Sequence, residues 1–368
     1  MTTWRSQVAD IIDGHVHMGG IDEEDALLAI LEATGIGRMV LVSIQDEASG
    51  AGLPQSLYMK ARHPERFYVF AGLNHAARLS GSKVAAPSLA EQVANFAAMG
   101  CDGIKLIEGK PTSRRKMNVP VTDPYYAQYW ERVEELGLPI VWHVNDPEEF
   151  WDPRALPEWA RKHGWGYGPQ DVTKEELYLE VDEILRRHPR LKVIFAHFYF
   201  LSADLPRAAR FLEEHPTAHF DLAPGIEMLY NISRDPEAGR DFFIRYADRI
   251  VFGTDIWSGL TPLQAAARAG IVFRWLESAD EFRVPAEADE LLGPPEDGII
   301  RGMALRDDVL ARIYRDNLAS LAAPQPRPLD LSAAIAECER LAAIAEAMSG
   351  RPATETEAAR IAARLAAL

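Results

Sequence analysis

The chain has 368 residues, a length that suits two domains or one large barrel with insertions, and 48% of its residues are hydrophobic. A formal net charge of -16 at pH 7 argues against nucleic acid and anionic membrane surfaces as partners. The sequence shows neither a signal peptide nor an apolar run close to the roughly 20 residues of a membrane span. Cys101 and Cys338 lie on dissimilar segments and are expected to be free thiols, so we expect a cytoplasmic protein.

The first predicted strand carries the motif Asp13-Gly-His-Val-His17. Residues two apart in a strand point to the same face, so His15 and His17 are expected to project together, with Val16 turned away. Two neighbouring imidazoles on one strand make half of a metal site, although two independently satisfied histidines would look the same.

Strands and helices alternate regularly along the rest of the chain. After a helix over 23–33, buried apolar runs predict seven further strands, at 38–43, 66–73, 103–108, 139–144, 192–197, 218–222 and 249–255. Eight βα steps predict an α/β protein with a closed (β/α)8 TIM barrel, and an open doubly wound sheet is the alternative.

Additional segments are predicted around this barrel. A long irregular loop over 145–173 follows strand five, and an insertion reaching about Gly302 follows strand eight. A helix over 307–322 is expected to complete the barrel as its eighth helix. Residues 1–323 therefore form the predicted barrel domain. Residues 324–368 form a helical extension, packed on the barrel or on a neighbouring subunit, and this extension is compatible with a homo-oligomer.

Polar residues stand at the carboxyl ends of several predicted strands. They are His15 and His17 of strand one, Lys105 of strand four, His143 of strand five, His197 of strand six and Asp255 of strand eight. In a barrel these strand ends meet at one face, where the active sites of such enzymes lie. Each residue alone has a structural explanation, but together they indicate one site.

These motifs resemble the amidohydrolase superfamily. The similarity rests on the strand-one motif, on His143, on Ala196-His197 and on Phe252-Gly-Thr-Asp255, and it covers about residues 10–320. It is greatest to the amidohydrolase-2 branch, which includes relatives of aminocarboxymuconate semialdehyde decarboxylase and lactone hydrolases. Ile313-Tyr-Arg-Asp-Asn317 resembles the closing helix of that branch. The motifs are specific for the superfamily but carry little information about the substrate.

The resemblance implies a divalent metal held by His15, His17, His143 and Asp255. Zinc is expected first, with manganese, iron and nickel as alternatives, and one ion rather than two. Water on such an ion has its pKa lowered to about 7. Asp255 would take and return a proton, and His197 would stabilise the oxyanion that develops on a substrate carbonyl.

Lys105 leaves an alternative open. In two-metal relatives a strand-four lysine is carboxylated and bridges the ions, and His143 and His197 would then hold the second ion. Lys105 can instead pair with a substrate carboxylate or with Asp255. A bare ammonium beside a metal is repelled by it, so the lysine must be modified, turned away or paired.

The loops after the strands suggest an acidic, unsaturated or aromatic substrate. Candidate substrate contacts are Arg114 in the loop after strand four, Trp151 and Arg154 in the loop after strand five, and Glu227 after strand seven. The tryptophans of the strand-five loop are equally compatible with a small satellite core under that loop.

Three functions fit this pattern. The first is hydrolysis of an amide, ester or lactone of a small, carboxylated organic molecule by a metal-activated water. The second is non-oxidative decarboxylation of an unsaturated or aromatic acid on the same metal site. The third is a barrel that binds a metal or ligand without catalysis, which the complete set of strand-end residues argues against.

Overall fold

The computed structural model describes residues 4–293 and 298–368. Nine short parallel strands, most of them runs of buried Val, Ile, Leu and Phe, form one sheet in the order β8-β7-β6-β5-β4-β3-β2-β1-β9. The strands are β1 Ile12–His17, β2 Arg38–Val42, β3 Phe67–Gly72, β4 Gly103–Gly109, β5 Ile140–Val144, β6 Val193–Phe195, β7 Ala218–Asp221, β8 Ile250–Val251 and β9 Ile256–Trp257.

The sheet closes into a barrel because its eighth strand is split in two. β8 pairs with β7, whereas β9 pairs with β1. Between them, the Gly14 amide donates to the Phe252 carbonyl at 2.8 Å, and the Asp255 amide donates to the His15 carbonyl at 2.9 Å. A Cβ on Gly14 would lie 3.0 Å from the Phe252 oxygen, so the close approach requires glycine. The predicted (β/α)8 TIM barrel is confirmed.

Helices surround the barrel and follow nearly every strand. They are α1 Glu24–Thr34, α2 Leu53–Arg62, α3 Ala76–Leu79, α4 Leu89–Met99, α5 Pro111–Met117, α6 Pro124–Leu136, α7 Glu158–Lys162, α8 Lys174–Arg187, α9 Leu205–Glu214, α10 Ile226–Ile232, α11 Pro236–Arg245, α12 Pro262–Glu277, α13 Asp307–Ala311, α14 Asn317–Leu321, α15 Leu331–Ser349 and α16 Glu357–Leu365. A π-helical turn, Arg312–Asp316, joins α13 to α14, and β10 Glu281–Phe282 pairs with β11 Ile300–Arg301 as an antiparallel ribbon.

Two apolar layers hold the barrel together. Side chains such as Val40, Phe70, Val141 and Ile194 fill its interior, and Leu318 of α14 belongs to the same cluster. A larger layer lies between the strands and the surrounding helices. The interior is thus packed with side chains, which leaves the carboxyl ends of the strands as the place for polar groups.

The segment after strand eight differs from the prediction. α12 packs against α1 within the insertion that the sequence suggested was irregular, and the predicted eighth helix over 307–322 is instead α13, the π-helical turn and α14. Gly270 in the middle of α12 lowers its helix propensity. A Cβ at that position would lie 2.9 Å from the Trp4 carbonyl, so the glycine lets the N-terminal segment cross the helix.

The C-terminal extension lies on its own barrel. α15 and α16 pack against each other and against α2. The Asp330 amide donates to the Met99 carbonyl at 2.8 Å, and the Glu357 amide donates to the Ser49 carbonyl at 3.3 Å. Among the described residues, no helix is both long enough and apolar enough to cross a membrane.

Candidate active site

A bulge in β1 aims its two histidines into the barrel. The pairing register of β1 with β2 shifts between Asp13 and Val16. Asp13 Oδ1 accepts the amide of His15 at 3.0 Å and the amide of Thr254 at 3.1 Å, so one buried carboxylate spans the bulge and joins strand one to strand eight. Bulges re-aim side chains next to active sites. Burial raises the pKa of Asp13 to about 7.

Three of the predicted site residues come together at the centre of the carboxyl-end face. One ligand atom each of His15, His17 and Asp255 lies within 4.8 Å of the others. Asp255 Oδ1 lies 3.3 Å from His17 Nε2 and 3.7 Å from His15 Nε2. Burial raises the pKa of Asp255, but the hydrogen bond from His17 and the neighbouring imidazoles outweigh it and hold that pKa well below its usual range. Asp255 is therefore a carboxylate.

Asp221 at the end of β7 orients His15, and the sequence analysis missed it. His15 Nδ1 donates to Asp221 Oδ2 at 2.7 Å, because an ionised carboxylate only accepts. Nε2 of His15 is thereby left as the unprotonated nitrogen that can bind a metal. A polar residue at the tip of an apolar strand was the signal that identified the other members, and it applies equally to Asp221.

His197 lies in a left-handed turn at the end of β6. Its φ is 58°, and Phe198, Tyr199 and Phe200 have φ values of 54°, 56° and 52°. Such backbone is costly for residues other than glycine and concentrates at functional sites. The His197 amide donates to Asp221 Oδ1 at 2.7 Å, which helps to hold the turn.

The hydrogen bonds give His197 the opposite character from the one predicted. Its Nδ1 lies 3.0 Å from the Ala223 carbonyl and must donate to it, so Nε2 is an acceptor. Burial, followed by the neighbouring His143, lowers the pKa of His197 to about 3. A neutral imidazole with an unprotonated Nε2 accepts a hydrogen bond from a substrate and does not donate one to an oxyanion.

His143, the fourth predicted metal ligand, is not part of the three-residue cluster. Its Nε2 lies 3.0 Å from the Asn145 carbonyl and 3.2 Å from Asp146 Oδ1, so this nitrogen donates and only Nδ1 remains as a possible ligand atom. The His143 and His197 ring centres are 4.8 Å apart. The ligand role of His143 therefore stays a prediction, whereas its place in the lining of the adjacent pocket is observed.

Lys105 of β4 reaches the cluster from the opposite side. Its Nζ lies 3.1 Å from His15 Nε2, and the side chain is 2% exposed. Burial lowers the pKa of Lys105 to about 8, against the opposing charges of Asp221 and Asp255. Within the described part of the chain, no carboxylate lies within ion-pair distance of this amine. The predicted pairing of Lys105 with Asp255 is therefore not seen.

A pocket opens beside the cluster, between the ends of β5 to β9. Its walls are aromatic, and its floor is polar. The aromatic side chains are Phe150, Trp159, Trp165 and Phe200, and the polar ones include Lys110, His143, His197, Asp255 and Arg268. The loop after β5 supplies three of the four aromatic rings and also packs as a small apolar cluster of its own, so both interpretations of its tryptophans apply.

Arg268 of α12 was not predicted, because the helix itself was missed. Its Nη1 donates to both oxygens of Asp289 at 2.8 Å, and its Nε donates to the Thr254 carbonyl at 2.6 Å. Its Nη2 lies 3.5 Å from Asp255 Oδ2. This buried guanidinium therefore anchors the split in strand eight and places a positive charge behind Asp255.

None of the four predicted substrate contacts belongs to the pocket lining. Arg154 is 91% exposed and pairs with Asp152. Arg114 pairs with Glu180 at 3.5 Å, and Trp151 Nε1 donates to the Val172 carbonyl. Glu227 follows Gly225 of the pocket wall, and neither of its buried carboxyl oxygens has a partner on another described residue. Burial raises the pKa of Glu227 to about 7.

The donor set fits a divalent metal. His15 and His17 offer imidazole nitrogen and Asp255 offers carboxylate oxygen, which are ligands of zinc and its first-row neighbours. Asp221 supports His15 from behind, as carboxylates support metal-binding histidines. A TIM barrel with a His/His/Asp cluster at its carboxyl-end face is the arrangement expected of a metal-dependent barrel enzyme.

The comparisons with known proteins identify the family. A family model described as amidohydrolase matches residues 12–321. The chain therefore belongs to the amidohydrolase family, as the motifs suggested, and is an enzyme of the amidohydrolase superfamily, whose members typically use a divalent metal.

A curated relative is the gamma-resorcylate decarboxylase of Rhizobium radiobacter, which is 26% identical over 198 residues. That alignment covers 48% of this chain, and the chain spans 56% of the relative's length. Two solved structures share the fold. The 2,6-dihydroxybenzoate decarboxylase from Rhizobium has a TM-score of 0.51 at 16% identity, with 85% of this chain and 98% of that chain covered. An amidohydrolase from Burkholderia multivorans with bound zinc has a TM-score of 0.53 at 16% identity, with 86% and 100% covered.

The main functional prediction, hydrolysis of an amide, ester or lactone, is wrong on these findings. The curated relatives are named as decarboxylases, not as hydrolases. The motifs that suggested hydrolysis are those of the metal site, and the metal site is shared by both reactions. The sequence therefore identified the site but not the bond that is broken.

Proposed function

We propose that this chain is a divalent-metal-dependent, non-oxidative decarboxylase of a hydroxylated aromatic carboxylic acid. The observation that carries the proposal is the pocket itself, in which aromatic side chains share the lining with Asp255, one of the three residues of the His15, His17 and Asp255 cluster. The names of the curated relatives, which act on a dihydroxybenzoate, support the same substrate class.

The aromatic walls suit a flat ring. Trp159 and Trp165 pack edge to face with ring centres 5.7 Å apart, and Phe150 is stacked on Trp165 at 6.2 Å. Aromatic rings prefer such offset and edge contacts with one another, and they exclude water from a bound ring. Because the walls come from the loop after β5, they fix the plane of the substrate without contributing groups that react.

Two buried cations attract the carboxylate of the substrate to the pocket. Lys110 Nζ lies 2.5 Å from Asp146 and 4.4 Å from the Trp165 ring centre, and Arg268 lies behind Asp255. Each cation is already paired with a carboxylate, so the pocket is not strongly positive. It therefore favours entry of one carboxylate while keeping its own groups in place.

His15, His17 and Asp255 would hold the metal, which would supply a positive charge that binds and orients the carboxylate and an adjacent hydroxyl. Zinc is our proposal for the ion, with manganese, iron and nickel as the ions to compare.

Proton transfer falls to the residues on the pocket floor. Because Asp255 is ionised, it begins as an acceptor, and a ring hydroxyl next to the carboxylate is the donor that a hydroxylated acid brings. His197 Nε2 accepts a hydrogen bond from that side of the ring and orients the substrate.

The step balances without an oxidant or a reductant. Asp255 first takes the proton of the ring hydroxyl and then delivers it to the ring carbon that bears the carboxylate, with electrons from the ring oxygen forming the new C–H bond. The bond from that carbon to the carboxylate carbon then breaks, its electron pair returns to the ring, and carbon dioxide leaves. The resulting phenolate regains a proton from water and leaves a hydroxide ion, so the net change is the replacement of a carboxylate by a hydrogen with water as the proton source.

The test is product analysis with the zinc-loaded protein and 2,6-dihydroxybenzoate. We expect resorcinol and carbon dioxide in equal amounts, and the Asp255→Asn variant should form neither above background. The absence of resorcinol with zinc, manganese, iron and nickel alike would overturn the proposal.

A further inference from the structure

A second polar pocket lies on the other side of Lys105, at the carboxyl ends of β2, β3 and β4. Its lining includes Gln45, Lys105, His75, Glu108, Glu47 and Lys116. It shares no lining residue with the aromatic pocket, and no predicted site residue other than Lys105 reaches it.

Most charges in this β2–β4 pocket neutralise one another. His75 Nε2 donates to Glu108 at 2.5 Å, and its Nδ1 accepts from the Tyr125 hydroxyl at 2.9 Å. Lys116 Nζ donates to Glu47 at 3.0 Å. Both nitrogens of His75 and both ion pairs are therefore used within the protein, so the pocket is not built for a second free anion.

Gln45 is the exception. Its side chain is 8% exposed, and its Nε2 donates to the Gly72 carbonyl at 3.1 Å. This bond fixes the orientation of the amide, because a carbonyl cannot accept from another carbonyl oxygen. Oε1 then remains buried and has no hydrogen-bond partner among the residues that the structure describes. A buried acceptor without a donor is costly, and its natural complement is a ligand that donates a hydrogen bond.

Lys105 supplies the hydrogen-bond donor that complements the Gln45 acceptor. Its Nζ carries N–H groups in either protonation state and lines the same pocket. The same Nζ lies 3.1 Å from His15 Nε2, so a group bound here is close to the reacting centre. An N–H donor together with an unpaired carbonyl acceptor is the arrangement that one hydroxyl group satisfies, since a hydroxyl both donates and accepts.

We propose that the β2–β4 pocket binds a hydroxyl group on the ring position next to the reacting carboxylate, with Gln45 Oε1 as its acceptor and Lys105 as its donor. The inference rests on the proposed function. His197 accepts from a hydroxyl on the β5–β8 side, and Gln45 accepts on the opposite side. The site thereby selects acids that carry hydroxyl groups on both sides of the carboxylate.

The test is calorimetric binding of 2,6-dihydroxybenzenesulfonate and 2-hydroxybenzenesulfonate to the zinc-loaded protein, because a sulfonate keeps the negative charge of the substrate but cannot leave as carbon dioxide. We expect the wild type to bind the dihydroxy ligand about tenfold more tightly, the typical effect of one hydrogen bond to a buried acceptor. In Gln45→Met this ratio should fall to near one, because the acceptor is removed at similar side-chain size. The exposed control Gln128→Met should match the wild type.

Gln45→Asn withdraws the same acceptor by one methylene and replaces Gln45→Met if that variant does not fold. A wild-type ratio near one, as expected if only water occupies the pocket, would overturn the inference. An unchanged ratio in folded Gln45→Met would do the same. Because binding is measured apart from turnover, the two proposals fail separately. A Gln45-dependent ratio without resorcinol formation rejects only the decarboxylase, and resorcinol formation with a Gln45-independent ratio rejects only the subsite.

Discussion

The two ends of strand β4 use buried lysines in different ways. Where the strand begins, Asp102 is bonded to Lys60 and also accepts the amides of Val69 and Arg327 at 2.8 and 2.7 Å. Where the strand reaches the catalytic face, Lys105 has His15 as its hydrogen-bond partner and no carboxylate within ion-pair distance among the described residues.

The difference shows what each end is for. Every hydrogen-bonding need of the buried Asp102 carboxylate is met by Lys60, Val69 and Arg327, and the bond from Arg327 ties the barrel to the start of the C-terminal extension, so the role of this pair is structural. At the other end, Lys105 lacks a carboxylate partner among the described residues, and metal-binding side chains surround it. We therefore expect a metal and a substrate to supply the missing partners. In this fold, polar groups at the amino ends of strands serve stability, and those at the carboxyl ends serve chemistry.

The largest expected effect is at the catalytic end. His17→Ala should lower turnover of 2,6-dihydroxybenzoate by about 10³-fold or more, because a metal ligand is lost. His17 is partly exposed, so the free energy of unfolding of the metal-free protein should change by less than about 1 kcal/mol. Steady-state kinetics measures the loss of turnover, and urea unfolding measures the change in stability. Retention of full turnover would contradict the assignment of His17 as a ligand.

The reciprocal effect is expected at the structural end. Lys60→Met leaves the Asp102 carboxylate buried without its cation and should destabilise the protein by about 3–5 kcal/mol. Turnover per folded chain should remain within about twofold of the wild type, since Lys60 lies far from the cluster in the fold. Urea unfolding and kinetics on the same preparation measure both. A selective loss of turnover at normal stability would break the distinction between the two ends.

A smaller effect is expected at Asp221, which acts through His15. Asp221→Asn removes the charged acceptor that fixes the His15 tautomer, and metal affinity should fall by about 10–100-fold. A metal-competition titration gives this value directly. Saturating metal should restore most of the turnover, which separates a positioning role from a catalytic one. Wild-type affinity in this variant would show that the His15–Asp221 bond does not position the ligand.

The smallest expected effect concerns Glu227 and pH. Burial raises its pKa to about 7 from an ordinary value near 4.5, so the native state binds the proton more tightly than the unfolded state. The stabilisation from the neutral acid is complete below about pH 4.5 and is lost as pH rises through about 7. The wild type should lose on the order of 2 kcal/mol of its free energy of unfolding between these pH values, and Glu227→Gln should abolish that loss. The free energy of unfolding is measured for both proteins from pH 4.5 to 8. The same dependence on pH in variant and wild type would refute the raised pKa of Glu227.

The sequence predicted the strand-end residues because parallel strands bring their carboxyl ends to one face. His15, His17 and Asp255 follow from that rule alone, and Asp221 would have followed had it been applied to strand seven. Arg268 could not be predicted, because it comes from the middle of a helix and reaches the site only through the packing of α12. The hydrogen-bond direction at His197 depends on the Ala223 carbonyl, which a left-handed turn brings into reach.

The most direct test of the account is a metal titration of the stripped protein during turnover. Metal-free protein is supplied with increasing zinc while resorcinol formation from 2,6-dihydroxybenzoate is followed, with His17→Ala as the matched control. The account predicts no turnover without metal, saturation at about one ion per chain, and a strongly weakened response in His17→Ala. Full turnover of the stripped protein, or an identical titration of His17→Ala, would contradict the claim that the His15, His17 and Asp255 cluster holds the metal used in decarboxylation.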